Sequence, residues 1–143
     1  MPPRFLDTNI LMRYFTRDDE YKAEAALALL RRIQAGTEQV TTSPLVLFEV
    51  VFLLERTYKL PKDRVADAVL SVLTLPGVKL AHKTLWRTAF QLHLTHAIDF
   101  ADAYNAACMQ RMGVSEIYTW DEDFDQIPGL TRVEPGGEEE AAA

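Results

Sequence analysis

Short strand-forming runs alternate with longer helical stretches along the whole chain, and this alternation predicts an α/β domain with a mostly parallel sheet. Arg4-Phe5-Leu6 reads as a short buried strand ending at Asp7. Asn9 is placed to cap a short helix from Ile10 to about Phe15. Asp18 or Asp19 caps a longer one through Ala23, Leu27, Leu30 and Ile33, which Gly36 stops. Gln39 to Thr42 is a second strand. Ser43-Pro44 then opens a helix, with Ser at the N-cap and Pro at the first helical position, running to about Tyr58. A further helix begins at Pro61, carries Val65, Ala68, Val69 and Val72 and ends before Pro76-Gly77. Val78-Lys79-Leu80 is a third strand. Helices follow from about Thr84 to His96 and from Asp99 to Met112, with Gly113 as the stop, and strands at Glu116–Thr119 and Leu130–Val133. Ligands of such sheets bind beyond the carboxyl ends of the strands. Asp7 and Asp121 each fall just past a predicted strand end.

A length of 143 residues fits one domain with a real core, expected over residues 1–134. Residues 135–143, with Glu138, Glu139 and Glu140, read as a disordered acidic tail. The single cysteine, Cys108, excludes an intrachain disulfide and suits a reducing compartment. The opening Met-Pro-Pro-Arg-Phe lacks the pattern of a secretory signal, and charges interrupt every apolar run well short of the roughly 20 residues of a membrane span. The expected location is the cytoplasm, with no membrane association. Acidic residues outnumber basic ones 21 to 15. That balance would argue against a nucleic-acid partner, except that acids gathered around a cation reverse the local field.

Several acids lack an evident cation. Glu49 is the one charge in Pro44–Leu54, a stretch apolar all round and so expected to be buried. Its helical neighbours Leu45, Val46, Phe52 and Leu53 offer no counter-charge, and a lone buried carboxylate demands protonation, a partner or a metal. A solvent slot or a distant Arg is the plainer alternative. Asp99 is a natural N-cap, for which a structural role is the better reading. Asp102 stands three residues on among Ile98, Asp99, Asn105 and Ala106, again without a cation. Asp7 follows a strand directly, and the run Asp121-Glu122-Asp123-Phe124-Asp125 forms an acidic turn whose plain reading is an exposed loop. That turn imitates the start of a calcium-binding hand, but Gln126 and Arg132 stand where the loop needs Gly and Glu. Four acids on four elements could converge on one sheet edge. Carboxylates without Cys or His select Mg²⁺ or Mn²⁺, ions suited to phosphate esters.

Phe5-Leu-Asp7-Thr8-Asn9-Ile-Leu11 resembles the opening motif of PIN domains. Thr42-Ser-Pro44 with Phe48-Glu49-Val50 is similar to their second motif, Asp99-Phe-Ala-Asp102-Ala-Tyr-Asn-Ala-Ala107 to the third, and Thr119-Trp-Asp121-Glu-Asp123-Phe124 with Ile127-Pro-Gly-Leu130 to the fourth. Order, spacing and length resemble the VapC-type branch, the toxins of type II toxin–antitoxin pairs, over about residues 4 to 134. The resemblance implies a Rossmann-like three-layer α/β/α sandwich around a mostly parallel sheet of four to five strands. It implies Mg²⁺- or Mn²⁺-dependent endonucleolytic hydrolysis of RNA, with in-line attack of an activated water and departure of the 3′ oxygen. Carried over by position, Asp7, Glu49, Asp102 and Asp121 are the catalytic, metal-binding acids. Thr8, Asn9, Asp99, Thr119 and Asp123 would orient the carboxylates and the water. It further implies an antitoxin partner and a homodimer. Tyr104-Asn105 replaces residues that are usually aliphatic, which implies a changed pocket wall or interface.

Arg13 and Arg17, close behind Asp7, are the better candidates to contact the RNA backbone. Lys22, Arg31 and Arg32 read as solvated helix surface. His93 and His96 could mimic a zinc pair, but with no third ligand they read as packing or surface residues. Trp86, Phe90 and Leu94 form one helical stripe for core or dimer packing. Three other readings compete with the nuclease: a catalytically silent PIN-fold interaction module, a haloacid-dehalogenase-type phosphatase and a receiver domain. The phosphatase needs an Asp where Asn9 stands, the receiver an adjacent acidic pair after the first strand, and the silent module is disfavoured by the presence of all four acids.

Overall fold

The computed structural model describes residues 2–136, so residues 137–143 of the expected tail lie outside the described residues. Two compact units meet in sequence between Lys83 and Thr84. In the first, strand β1 (Arg4–Phe5) leads to helices α1 (Thr8–Thr16) and α2 (Glu20–Ala35), strand β2 (Val40–Thr41), helix α3 (Pro44–Phe52), a π-helical turn (Leu53–Thr57) and helix α4 (Lys62–Leu73). Helix α5 (Lys83–Thr95) begins at the boundary. The second unit continues with α6 (Phe100–Met112), β3 (Glu116–Tyr118), a 3₁₀ turn (Glu122–Gln126) and β4 (Thr131–Val133).

The expected α/β class and parallel sense are found. β1 pairs with β2 in parallel, Arg4 beside Val40 and Phe5 beside Thr41. β3 pairs with β4 in parallel from Glu116–Thr131 to Tyr118–Val133. The expected strand at Val78–Leu80 narrows to a single parallel bridge between Val40 and Val78. Gly77 explains its position: a Cβ there would meet the Glu38 carbonyl oxygen at 2.3 Å and the Ile33 carbonyl oxygen at 2.7 Å, so the chain comes in closer than any side chain allows. β1 is less buried than its composition suggests. Arg4 and Phe5 are exposed and Leu6 alone of the three is buried.

Caps set most helix ends where the sequence puts them. Asp19, rather than Asp18, caps α2 by accepting from the Lys22 N–H at 3.0 Å, and Gly36 ends it in the left-handed region. Ser43 caps α3 through the Val46 N–H at 3.2 Å. Gly113 closes α6 with φ 71°. Two caps differ from expectation. α1 starts at Thr8, so Asp7 holds the N-cap position and Asn9 lies inside the helix. Asp99 occupies the N-cap of α6 without a side-chain cap bond.

The core of the first unit is built from the apolar faces of α1 (Leu11, Met12), α2 (Ala23, Ala26, Leu30, Ile33), α3 (Val46, Leu47, Val50, Val51) and α4 (Val65, Val69, Val72). α1 packs on both α2 and α3. In the second unit the α5–α6 core is aromatic. Trp86 stacks on Phe100 with centroids 5.8 Å apart, Phe90 lies 4.5 Å from Phe100, and Tyr104 tilts onto Trp86 at 5.0 Å. Tyr104, the departure from the family pattern, is thus a packing residue. His93 is buried, with its Nδ1 2.8 Å from the Ile98 carbonyl oxygen, which supports the packing reading. Of the Trp86–Phe90–Leu94 stripe, Leu94 is exposed.

Candidate active site

In the first unit two backbone exits place two acids. The Leu6 N–H donates to the Thr41 carbonyl at 2.8 Å, and the buried Thr42 hydroxyl donates to the Leu6 carbonyl at 2.8 Å. With both polar groups of Leu6 satisfied, the end of β1 is pinned to β2 and Asp7 leaves it in a fixed direction. The carboxylate of Asp7 is exposed and makes no cap bond with α1. β2 runs through Thr42 and Ser43 into α3, whose sixth residue is Glu49. Asp7 and Glu49 line one pocket of about 400 Å³, together with Thr8, Asn9, Arg13 and Asp18.

Glu49 is exposed, which corrects the expectation of a buried charge. α3 is not enclosed all round: Leu45, Glu49 and Phe52 share an exposed stripe, with Leu45 76% and Phe52 60% accessible, while Val46, Leu47, Val50 and Val51 face the core. The apolar composition hid a face open to solvent.

Past α3 the ladder widens. The Tyr58 N–H donates to the carbonyl of Leu53, five residues back, at 3.0 Å, the signature of a π turn. The turn brings Leu53, Thr57 and Tyr58 to the same pocket. There the Tyr58 hydroxyl donates to Asp18 Oδ2 at 3.0 Å, while Asp18 Oδ1 accepts from the Thr16 hydroxyl at 2.8 Å and from Arg13 Nη1 at 3.3 Å. The Thr16 and Tyr58 hydroxyls, and secondarily Arg13, hold the Asp18 carboxyl below its usual value. Arg17 adopts φ 54° at the end of α1, and its guanidinium is paired with Glu24 and Glu20. This Asp18 centre was not singled out from the sequence. The available signal was the Asp18-Asp19 pair, of which one residue caps α2 and leaves the other over.

In the second unit Asp102, Asp121 and Asp123 converge: one carboxylate oxygen of each lies within 4.8 Å of the others. α6 delivers Asp102 from its first turn, beside the small Ala103 and Ala106. The 3₁₀ turn delivers the other two. Asp121 caps it, Oδ1 accepting from the Asp123 N–H at 2.9 Å, and the Thr119 hydroxyl accepts from the Asp121 N–H at 3.0 Å. Burial first, then the charges of Asp99, Asp121 and Asp123, push the Asp102 carboxyl above its usual value. Asp125 has a different task, pairing with Arg132 at 3.0 and 3.2 Å, so alternate acids of the turn divide between the cluster and the link to β4. Arg132 also bonds Glu134. The donor set fits a hard divalent cation: three carboxylates within reach of one ion, in a group that repels itself without one.

The PIN domain family profile matches residues 4–130. A VapC ribonuclease of Aquifex aeolicus (strain VF5) is 23% identical over 132 residues, covering 92% of this chain and 96% of that protein. The profile spans most of the chain, including the two β-exits, the Asp102 turn and the acidic 3₁₀ segment. The chain therefore belongs to the PIN-domain family, and within it is similar to a VapC-type ribonuclease.

Proposed function

We propose that this protein is a Mg²⁺- or Mn²⁺-dependent endoribonuclease that hydrolyses RNA phosphodiester bonds, and that Asp7, Glu49, Asp102 and Asp121 carry the reaction. The observation that carries this reading is the Asp102–Asp121–Asp123 cluster, found in a chain matched by the PIN domain profile. A bound divalent cation supplies charge neutralisation at the phosphate and lowers the pKa of the attacking water. The chain's own part is to hold carboxylates at fixed positions. Thr119 fixes the backbone of Asp121, Asp121 fixes the backbone of Asp123, and Thr42 and Thr41 fix the strand that ends at Asp7. Asp123, placed within the cluster, serves as a ligand-range acid in addition to its expected orienting part. Thr8 and Asn9 at the start of α1 orient Asp7 and the attacking water, and Asp99 acts through its charge on Asp102.

The wider biology of this reading is that of a toxin held by a cognate antitoxin in the cytoplasm, acting as a homodimer of single PIN domains. Among the described residues no helix is long and apolar enough to cross a membrane. The test is cleavage of a panel of structured and single-stranded RNAs with Mg²⁺, Mn²⁺ or EDTA, comparing wild type with Asp7→Asn and Asp102→Asn. The expected outcome is metal-dependent cleavage reduced at least 100-fold in each variant, since each removes a charge aimed at the reaction. Absence of cleavage on every RNA, together with absence of Mn²⁺ binding by calorimetry, would overturn the enzyme in favour of a silent binding module.

A further inference from the structure

Arg13 and Asp18 line the same pocket as Asp7 and Glu49, and neither is among the four acids of the proposed reaction. The pocket, about 400 Å³, falls in the range of small-molecule sites and holds one nucleobase with room to spare. Met12 and Leu53 give it aliphatic wall, and the half-exposed ring of Tyr58, anchored through its hydroxyl on Asp18, gives a base a fixed surface to stack on.

Charge decides what Arg13 offers there. Its guanidinium is met by Asp18 at 3.3 Å, and Asp7 and Glu49 line the same space, so the field is not one that draws in a bare phosphate. A guanidinium carries five N–H donors, and the Asp18 contact uses one. What remains is a directed set of donors rather than a free charge. Guanine presents two adjacent acceptors, O6 and N7, to such a fork. Adenine places a donor beside its N7 and so mismatches it. Asp18 already accepts from Thr16, Tyr58 and Arg13, so it serves to orient the guanidinium. Side chains cannot read this edge in the deep, narrow major groove of an RNA duplex, so the base must be unstacked.

We propose that this pocket receives an unstacked guanine of single-stranded RNA, with Arg13 donating to its O6/N7 edge and Asp18 as the positioning residue. The proposal rests on RNA being the substrate and adds the base preference.

The test uses uncharged nucleosides, so that the acidity of the pocket does not enter. Guanosine, 7-deazaguanosine and adenosine are titrated into the full chain in EDTA, following the Arg13 side-chain Nε–H and the Tyr58 ring resonances by NMR. Guanosine is expected to shift both signals and to bind about tenfold more tightly than adenosine or 7-deazaguanosine, the discrimination of one bidentate contact. Arg13→Lys should abolish the preference with an unchanged thermal melt. Asp18→Asn should weaken guanosine about threefold and leave adenosine alone. Arg64→Ala, the same loss of charge on α4, should change nothing. Equal shifts with guanosine and adenosine, or none with either, overturn the proposal. Guanosine preference in a protein that cleaves no RNA would instead remove the nuclease reading and leave the pocket standing, so the two failures are distinct.

Discussion

Asp102 shares its space with Asp121 and Asp123 and is partly withdrawn from water, and both conditions favour its protonated form. The consequence for stability follows from linkage. The folded chain holds the Asp102 proton more tightly than the unfolded chain, whose carboxyl titrates near 3.8, so the metal-free protein loses stability as pH rises from there through the raised folded value. Above that value the loss is complete. Asp102→Asn removes the repulsion. In EDTA at pH 7 the variant should melt about 2 °C above wild type, a small figure because Asp102 is only partly buried and solvent screens the pair. At pH 3 the difference should vanish, and Mn²⁺-dependent cleavage should be lost. A variant that melts below wild type at pH 7 would show that the acids are not in conflict. Asp18 runs the other way. Its lowered carboxyl value contributes stability above the unfolded pKa that disappears as pH falls through the folded one, so Asp18→Asn should flatten the acid limb of the stability profile. At this scale three acids stand out by position, Asp7 and Asp121 just past a strand and Asp102 in the first turn of α6, while Glu49 is marked only as the one charge of an apolar helix. The convergence of Asp102 with Asp121 was legible in the sequence pattern. The exposure of Glu49 was not, since an all-apolar helix reads the same whether its fourth side meets core or water.

Among elements, the β1–β2 exit carries more than its two paired residues suggest. Thr42→Val keeps the shape of the buried side chain but leaves the Leu6 carbonyl without its donor, at a cost of about 1–3 kcal/mol. Because the same bond fixes where Asp7 leaves the strand, cleavage should fall further than stability alone explains, read as a drop in kcat at a temperature where both proteins are folded. Gly77→Ala is a sharper probe of the bridge at Val78. Its Cβ would sit 2.3 and 2.7 Å from two carbonyl oxygens, which belong to backbone and cannot rotate away. A loss of about 3 kcal/mol or more is expected in denaturant unfolding. Caps made most boundaries legible: Ser43-Pro44, Asp19, Gly36 and Gly113 are where local chemistry points. The π turn at Leu53–Thr57 was not, because Leu53-Leu54-Glu55-Arg56-Thr57 contains no Pro or Gly to mark a change of winding. The strand at Val78–Leu80 was over-read for the opposite reason. Its residues suit a strand, but the close approach of Gly77 fixes pairing at one point only.

For the molecule as a whole, two properties follow from surfaces the fold leaves open. On the proposed reading, the carboxylate cluster binds a divalent cation, and stability then depends on metal. A cation that binds the folded chain alone, at 100 times its dissociation constant, adds about 2.7 kcal/mol, or roughly 5–10 °C in melting temperature for a chain of this size. That shift should shrink sharply in Asp102→Asn. The second property is association. Leu45 and Phe52 on α3 are 76% and 60% accessible, the half-buried Phe48 lies between them, and Phe5 on β1 is 58% accessible. Large apolar side chains left exposed on either side of Glu49 are costly in water, at about 25 cal/mol for each Å² left uncovered, and such side chains are enriched where proteins associate. With a net charge of −6 the protein repels its own copies at long range, so contact must come from such a patch and should tighten with salt. The homodimer expected of this family branch should therefore involve the exposed face of α3. Light scattering at micromolar concentration should give the mass of two chains for wild type and of one for the double variant Leu45→Glu, Phe52→Glu, with circular dichroism unchanged because neither side chain contributes to the core. A dimer that survives both substitutions would place the interface elsewhere, and a wild-type monomer across the concentration range would leave α3 as a face for a different protein.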